Sequence, residues 1–304
     1  MIVRDRPHGL QLFVILNGSI VPRILRPLAV TVGLAVLVTW LHGSLFAEKI
    51  RLTPIPFSLI GLALAIFLGF RNSASYDRFW EGRKLWGQLV IECRGLARQS
   101  LCYLRQEPEA AARAVRRIIA FAYALKHHLR DSDPAAEIAP YLDGGECAAA
   151  LASHNRPDRL LRASSAELAA ALAEGRGNAM LIAEIERRVE TLCAIQAGCE
   201  RIKSTPLPFS YALLLHRTAY LYCFFLPFGL VDSIGFMTPV VVAIVAYTFF
   251  GLDALGDEIE EPFGTAPNDL PLGAICRTIE RDLLAALDAP ALPPAAVPVE
   301  YCLL

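Results

Sequence analysis

Residues 54–70 read PIPFSLIGLALAIFLGF, and residues 71–90 continue RNSASYDRFWEGRKLWGQLV. The first stretch is 17 residues without a charge, close to the ~20 that a helix needs to cross a bilayer core at 1.5 Å per residue. Nothing behind it stops a helix. No proline occurs between Pro56 and Pro108, so one helix is predicted to leave the apolar stretch and run on through the polar one. A helix that turns from uncharged to charged without a break belongs at a membrane boundary.

Three more stretches share this character. Leu28 to Phe46 has His42 as its only titratable residue, and Ile234 to Leu252 is uncharged. The remaining one begins near Thr218 and ends at Val231, with Pro227 inside and His216 and Arg217 at its start. Leu10 to Leu16 is a short apolar patch broken by Gln11 and followed by Asn17-Gly18-Ser19, so it reads as a packing or lipid-surface helix rather than a cleavable signal. Lys and Arg near span ends set orientation. Arg4, Arg6, Arg23 and Arg26 precede the first span, Arg71, Arg78, Arg83 and Lys84 follow the second, and Arg201 and Lys203 precede the third. Both termini and the central region are therefore placed in the cytosol.

Between the second and third spans the chain reads as helices. Val115, Ile118, Ile119, Ala122, Leu125 and Leu129 form one amphipathic stripe, and Ile182, Ile185, Val189, Leu192, Ile195 and Cys199 form another that Pro206 ends. Asp133-Pro134 resembles a helix start, and Ser164 to Glu167 has capping-box spacing. An acidic run, Asp253, Asp257, Glu258, Glu260 and Glu261, follows the fourth span, and one more amphipathic helix is predicted from Ile275 to Leu287. Strand alternation is absent. The fold class is an all-α membrane protein, with four transmembrane helices and a cytosolic helical domain. The expected divisions are 1–27, a cytosolic or interfacial segment; 28–70, transmembrane helices one and two; and 71–205, the cytosolic domain. Then come 206–252, transmembrane helices three and four; 253–288, a cytosolic C-terminal segment; and 289–304, a flexible tail.

Composition agrees. Of 304 residues, 55% are hydrophobic and 19% charged, against ~25% charged in soluble domains. The net charge of −1 gives no electrostatic case for a nucleic-acid partner. The eight cysteines form no C-x-x-C pair and read as buried, reduced thiols. His127 and His128, adjacent on a helix, point ~100° apart and cannot act as paired ligands. No nucleotide-binding, hydrolase or metalloprotease motif occurs, so neither an enzyme nor a cofactor is expected. The spans also lack the midplane carboxylate or lysine usual in ion-coupled transporters.

Leu62, Ile66 and Phe70 fall at i, i+4 and i+8, one narrow stripe along the second span. Such a stripe either packs against a neighbouring helix or, on a symmetry axis, becomes a ring of apolar side chains that can gate by dewetting. The small residues Gly61, Ala63, Ala65 and Gly69 would let neighbouring helices approach.

Phe67-Leu68-Gly69-Phe70-Arg71-Asn72-Ser73-Ala74-Ser75-Tyr76-Asp77-Arg78-Phe79-Trp80 resembles the segment leaving the second span of prokaryotic bestrophin homologues. Glu261-Pro262-Phe263-Gly264-Thr265-Ala266-Pro267-Asn268-Asp269-Leu270-Pro271 is similar to the Pro-Phe-Gly signature after the last span of bestrophins, and Asn17-Gly18-Ser19 to their N-terminal Gly-Ser. The resemblance covers nearly the whole chain. It implies a multi-pass channel of the bacterial inner membrane, a homopentamer that conducts monovalent ions passively. Leu62, Ile66 and Phe70 would form its neck and Met180 a second, cytosolic constriction.

Two departures from animal bestrophins carry expectations. Their calcium clasp uses a run of acids after Pro-Phe-Gly; here Asp269 alone stands in the five residues after Gly264, too few hard ligands for calcium. Glu258, Glu260 and Glu261 are left as a candidate weak divalent site. Animal necks have two aromatic rings per subunit, whose positive edges favour anions. Ile66 replaces one, which points to monovalent cations, with chloride conduction or secondary transport as alternatives.

Overall fold

The computed structural model describes residues 1–4, 9, 15–16, 18–41, 44–45, 48–49 and 53–304. Asn17, His42 and most of the segment from Leu10 to Leu16 lie outside the described residues. The helices are α1 (Val21–Trp40), α2 (Pro54–Tyr103), α3 (Pro108–Leu129), α4 (Ala135–Ile138) and α5 (Gly144–Leu151). They continue as α6 (Arg156–Ala173), α7 (Ala179–Ser204), α8 (Phe209–Ile234), α9 (Thr238–Glu260) and α10 (Leu272–Ala286). Among the described residues, β pairing consists of a two-residue antiparallel ladder in which Ser44 pairs with Lys49 and Leu45 with Glu48, and of isolated bridges from Cys302 to Ile2 and Val299.

The chain divides into two compact units, an apolar one of residues 5–79 and 206–261 and a polar one of 1–4, 80–205 and 262–304. α2 contributes to both as a single helix of 50 residues, because Pro54 and Pro56 sit in its first turn and no proline follows until Pro108.

In the apolar unit, α1, α8 and α9 pack on one another. Ile24, Leu64, Leu68, Ala219, Cys223, Ala246 and Phe250 fill one end of their core, and Ala35, Leu226 and Val242 continue it. Gly61 matters because a Cβ there would stand 2.7 Å from the Tyr222 hydroxyl, so a side chain would push α2 from α8. Gly235, at φ +53°, ends α8 in a conformation that a β-carbon disfavours. A 3₁₀ turn, Gly235–Met237, then leads into α9.

The helix limits differ from those predicted, each for a local reason. α1 starts at Val21 rather than Leu28, with Pro22 in its first turn, where a missing N–H is no loss. The third predicted span lies within the longer helix Phe209–Ile234, which starts directly after Pro208 and runs to Gly235, with Pro227 inside. α9 starts at Thr238, after the turn at Gly235, and continues past Leu252 to Glu260. The acids in its last two turns do not solvate the chain and end the helix, because Asp253 and Glu258 are buried and paired.

In the polar unit α3 is central, packed by α6, α7 and α10. All six residues of its predicted stripe are buried, as are the six of α7. Ser164 does not cap a helix. It lies inside α6, where its Oγ bonds the Leu160 carbonyl at 3.3 Å, and Asn155 is the N-cap, accepting from the Asp158 N–H at 3.1 Å. The apolar stripe Leu160, Leu161 and Leu168 runs straight through the box, and burial of that face overrides the capping signal. Five cysteines are buried, whereas Cys102 and Cys193 are exposed. Burial pushes the Cys199 and Cys276 thiols up to about 12. His127 bonds Ser132 and Glu137, while His128 faces Glu200 at 3.2 Å. In the segment after Ala286, the Pro293 carbonyl accepts from the Arg281 side chain and the Leu304 carbonyl accepts from the Ala274 N–H at 3.1 Å.

Candidate ion pathway

The start of α2 has two faces. Leu64, Leu68, Arg71 and Ser75, spaced by four, three and four, are buried in the apolar unit. On the opposite side Leu62, Ile66 and Phe70 are 62%, 49% and 63% exposed within the single chain. The stripe extends towards the start of the helix through Leu59 and Ile55, which are also exposed. The three sequence-predicted neck residues therefore share one uncovered apolar face. Gly61 is engaged by Tyr222, whereas Gly69 meets nothing within 4 Å. Met180, 79% exposed, is the second residue of α7 in the polar unit, and its N–H donates to the Asn178 side chain at 2.9 Å.

Immediately behind Phe70 lies a buried charge cluster of the apolar unit. Arg71 is only 2% exposed. Its Nη1 donates to Asp253 Oδ1 at 2.7 Å, its Nη2 to Asp257, and Glu260 stands 3.9 Å away. Asp253 Oδ2 also meets His216 Nδ1 at 2.7 Å. Three acids at i, i+4 and i+7 on α9 thus converge on one guanidinium of α2, geometry that suits a buried arginine. In the sequence Arg71 read as a cytosolic boundary charge and His216 as a span boundary. The acid spacing was the available sign that these groups form a cluster.

Two of the three acids left as a candidate weak divalent site meet other partners. Glu258 faces Arg23 at 3.8 Å, and Glu260 accepts from the Leu207 N–H at 3.0 Å. Among the described residues, no three His, Cys, Asp or Glu side chains gather as metal ligands. In the loop after Phe263, Asp269 accepts from the Ala266 N–H at 2.6 Å, and the Leu270 N–H bonds the Pro262 carbonyl at 2.9 Å. Arg130 reaches across from α3, donating to the Phe263 carbonyl at 3.1 Å and the Leu270 carbonyl at 3.4 Å. Burial pulls its guanidinium below the usual value. Asp269 stood out in the sequence as the lone acid after Gly264; its role in closing the turn, and that of Arg130 in holding it, did not.

Stretches at Val21–Trp40, Pro54–Tyr103 and Phe209–Glu260 are long and apolar enough to cross a bilayer, the last holding both α8 and α9. Together with the bare stripe on α2, they define a helical integral membrane protein. The chain belongs to the bestrophin family: residues 1–285 match the family described as Bacterial/Fungal Bestrophin protein. It is an ion channel rather than an enzyme. Its relatives include the voltage-dependent anion channel-forming protein mll4386 of Mesorhizobium japonicum, 42% identical over 99% of this chain and 96% of the relative. Another, YneE of Escherichia coli K12, carries the same description and is 41% identical over 98% of each chain. A solved bacterial bestrophin homologue from Klebsiella pneumoniae superposes with a TM-score of 0.84 at 41% identity, covering 90% of this chain and all of the other.

Proposed function

We propose that this chain conducts anions passively through a pore enclosed by five copies, with α2 innermost. α1, the first part of α2, α8 and α9 make four crossings of the bacterial inner membrane. The polar unit and both termini lie in the cytosol. Leu62, Ile66 and Phe70 form the neck and Met180 a second constriction. The pore assignment rests on the uncovered stripe of α2, and the pentamer on the bestrophin resemblance.

Anion conduction replaces the cation preference argued from Ile66. The observation that carries it is the description shared by relatives at 41–42% identity over nearly the full chain, anion channel-forming. Phe70 adds a ring whose positive edge can face an anion. Arg71 adds no free charge, because carboxylates on α9 surround it. The test is a bi-ionic reversal potential in a planar bilayer, with a potassium chloride gradient and gluconate substitution. Anion conduction predicts reversal near the chloride equilibrium potential and its shift on gluconate exchange. Reversal near the potassium potential would return the cation reading carried by Ile66, and saturable, proton- or sodium-coupled flux would remove the channel reading.

A further inference from the structure

The charges that follow Phe70 along α2 divide by direction. A helix turns ~100° per residue, so Asp77 and Lys84 point within ~20° of the mean direction of Leu62, Ile66 and Phe70. Both are exposed, and among the described residues neither has an ion-pair or hydrogen-bond partner. Ser73, also exposed, lies between them and the neck residues in the same direction.

The other charges from Arg71 to Lys84 point ~60° or more away from that direction, and each is engaged. Arg71 holds the carboxylates of α9, and Arg78 donates from Nε to the Glu260 carbonyl at 3.2 Å. Glu81 pairs with Arg201, and the Arg83 guanidinium lies over the Trp80 ring at 5.1 Å. Exposed charges are common on any helix surface. What sets Asp77 and Lys84 apart is that the lack of a partner coincides with the direction of the neck stripe. In the sequence Lys84 read as a boundary charge that orients the span, and the helical step from Phe70 gives it a second reading.

We propose that Asp77 and Lys84 form two charged rings on the ion path beyond the neck, acidic then basic, and that they set the ratio of anion to cation passage. The assignment rests on α2 lining the axis, and it holds whichever ion the pore prefers. At 1.5 Å per residue the rings stand ~10 and ~21 Å from Phe70 along the helix. Rings of carboxylates favour cations, and rings of lysines favour anions. Asp77 therefore holds anions back, and Lys84 draws them in.

The test is the reversal potential of the full-length protein in a neutral phosphatidylcholine bilayer under a potassium chloride gradient. It is taken at about 0.01 M and again at about 1 M salt, where the screening length is ~30 Å and ~3 Å. At low salt Asp77→Asn should raise the chloride-to-potassium permeability ratio about two- to tenfold, and Lys84→Gln should lower it by a similar factor. At high salt both shifts should largely vanish. Lys84→Arg should behave as the parent, and all three variants should melt with it, since no contact within the chain is lost. A parent that reverses near the potassium potential would defeat the anion reading, while opposite shifts in the two variants would still carry the rings. Ratios equal to the parent's in Asp77→Asn and Lys84→Gln, where Ile66→Ala with Phe70→Ala does raise conductance, would overturn the rings and keep the neck. Shifts of the same sign in both variants, or shifts undiminished at high salt, would report altered pore shape rather than charge and overturn the proposal too.

Discussion

Phe70 and Arg71 are neighbours in sequence and opposites in environment. The step of ~100° per helical residue turns the ring onto the bare face of α2 and the guanidinium into the carboxylates of α9. Removing one partner of a buried pair leaves an uncompensated charge, at a cost of ~3–5 kcal/mol. Arg71→Met should therefore lower the melting temperature sharply, and Asp253→Leu added to it should recover part of the loss; strictly additive losses would show that the two side chains act independently. The exposed face predicts the reverse balance. Ile66→Ala and Phe70→Ala truncate side chains that are 49% and 63% exposed within the chain, Phe70 edge-on to Phe67 at 6.4 Å. They should therefore cost less stability than a change on the buried face, while widening the neck and raising single-channel conductance. Leu68→Ala, on the buried face, should cost ~2–5 kcal/mol. Unchanged conductance in a well-folded Ile66→Ala, Phe70→Ala double variant would rule out the neck.

At the scale of elements, the loop after Phe263 shows how one acid and one arginine can order a turn. Asp269 spends an oxygen on the Ala266 N–H, and Arg130 takes two carbonyls of the same loop. Calcium binding would require six to eight oxygens to be gathered there. Micromolar calcium should therefore give no saturable heat in calorimetry and leave the current unchanged; a saturable heat would show that the loop rearranges around the ion. What was legible at this scale follows physical period. The stripes of α3 and α7 could be read from spacing alone, because burial of one helix face demands it, and the length of α2 could be read from the missing prolines. The ends of α9 and the cap of α6 could not. An acid ends a span only where water reaches it, and Asp253 is shielded by Arg71 and His216 from elsewhere in the chain. The cap signal at Ser164 is equally local, and it yields to a leucine stripe whose burial depends on α3 and α7. Arg71 was visible as a charge, and the i, i+4, i+7 spacing of Asp253, Asp257 and Glu260 as one helix face; that the two meet, more than 180 positions apart, was not.

At the scale of the whole molecule, the uncovered face of α2 can meet three things: lipid, a neighbouring helix or a water-filled axis. Each has a distinct response to polarity. Lipid penalises a polar group at membrane depth, a helix interface accepts one that finds a hydrogen bond, and a pore accepts one by wetting. Ile66→Asn therefore separates them. On a pore axis, the variant should insert, assemble and melt as the parent does, and pass more current at every voltage because the dewetted ring is broken. Against lipid, it should assemble poorly and lose stability. At a helix interface, the melting temperature should move with no gain in conductance. Assembly itself is read by native mass spectrometry of the detergent-solubilised protein. The expected species carries five copies of the 33.2 kDa chain and is the same for parent and variant. A stable monomer or dimer would leave no axis for α2 to line, whatever currents were recorded. A pentamer in which Ile66→Asn conducts no better than the parent would place the axis elsewhere than on Leu62, Ile66 and Phe70.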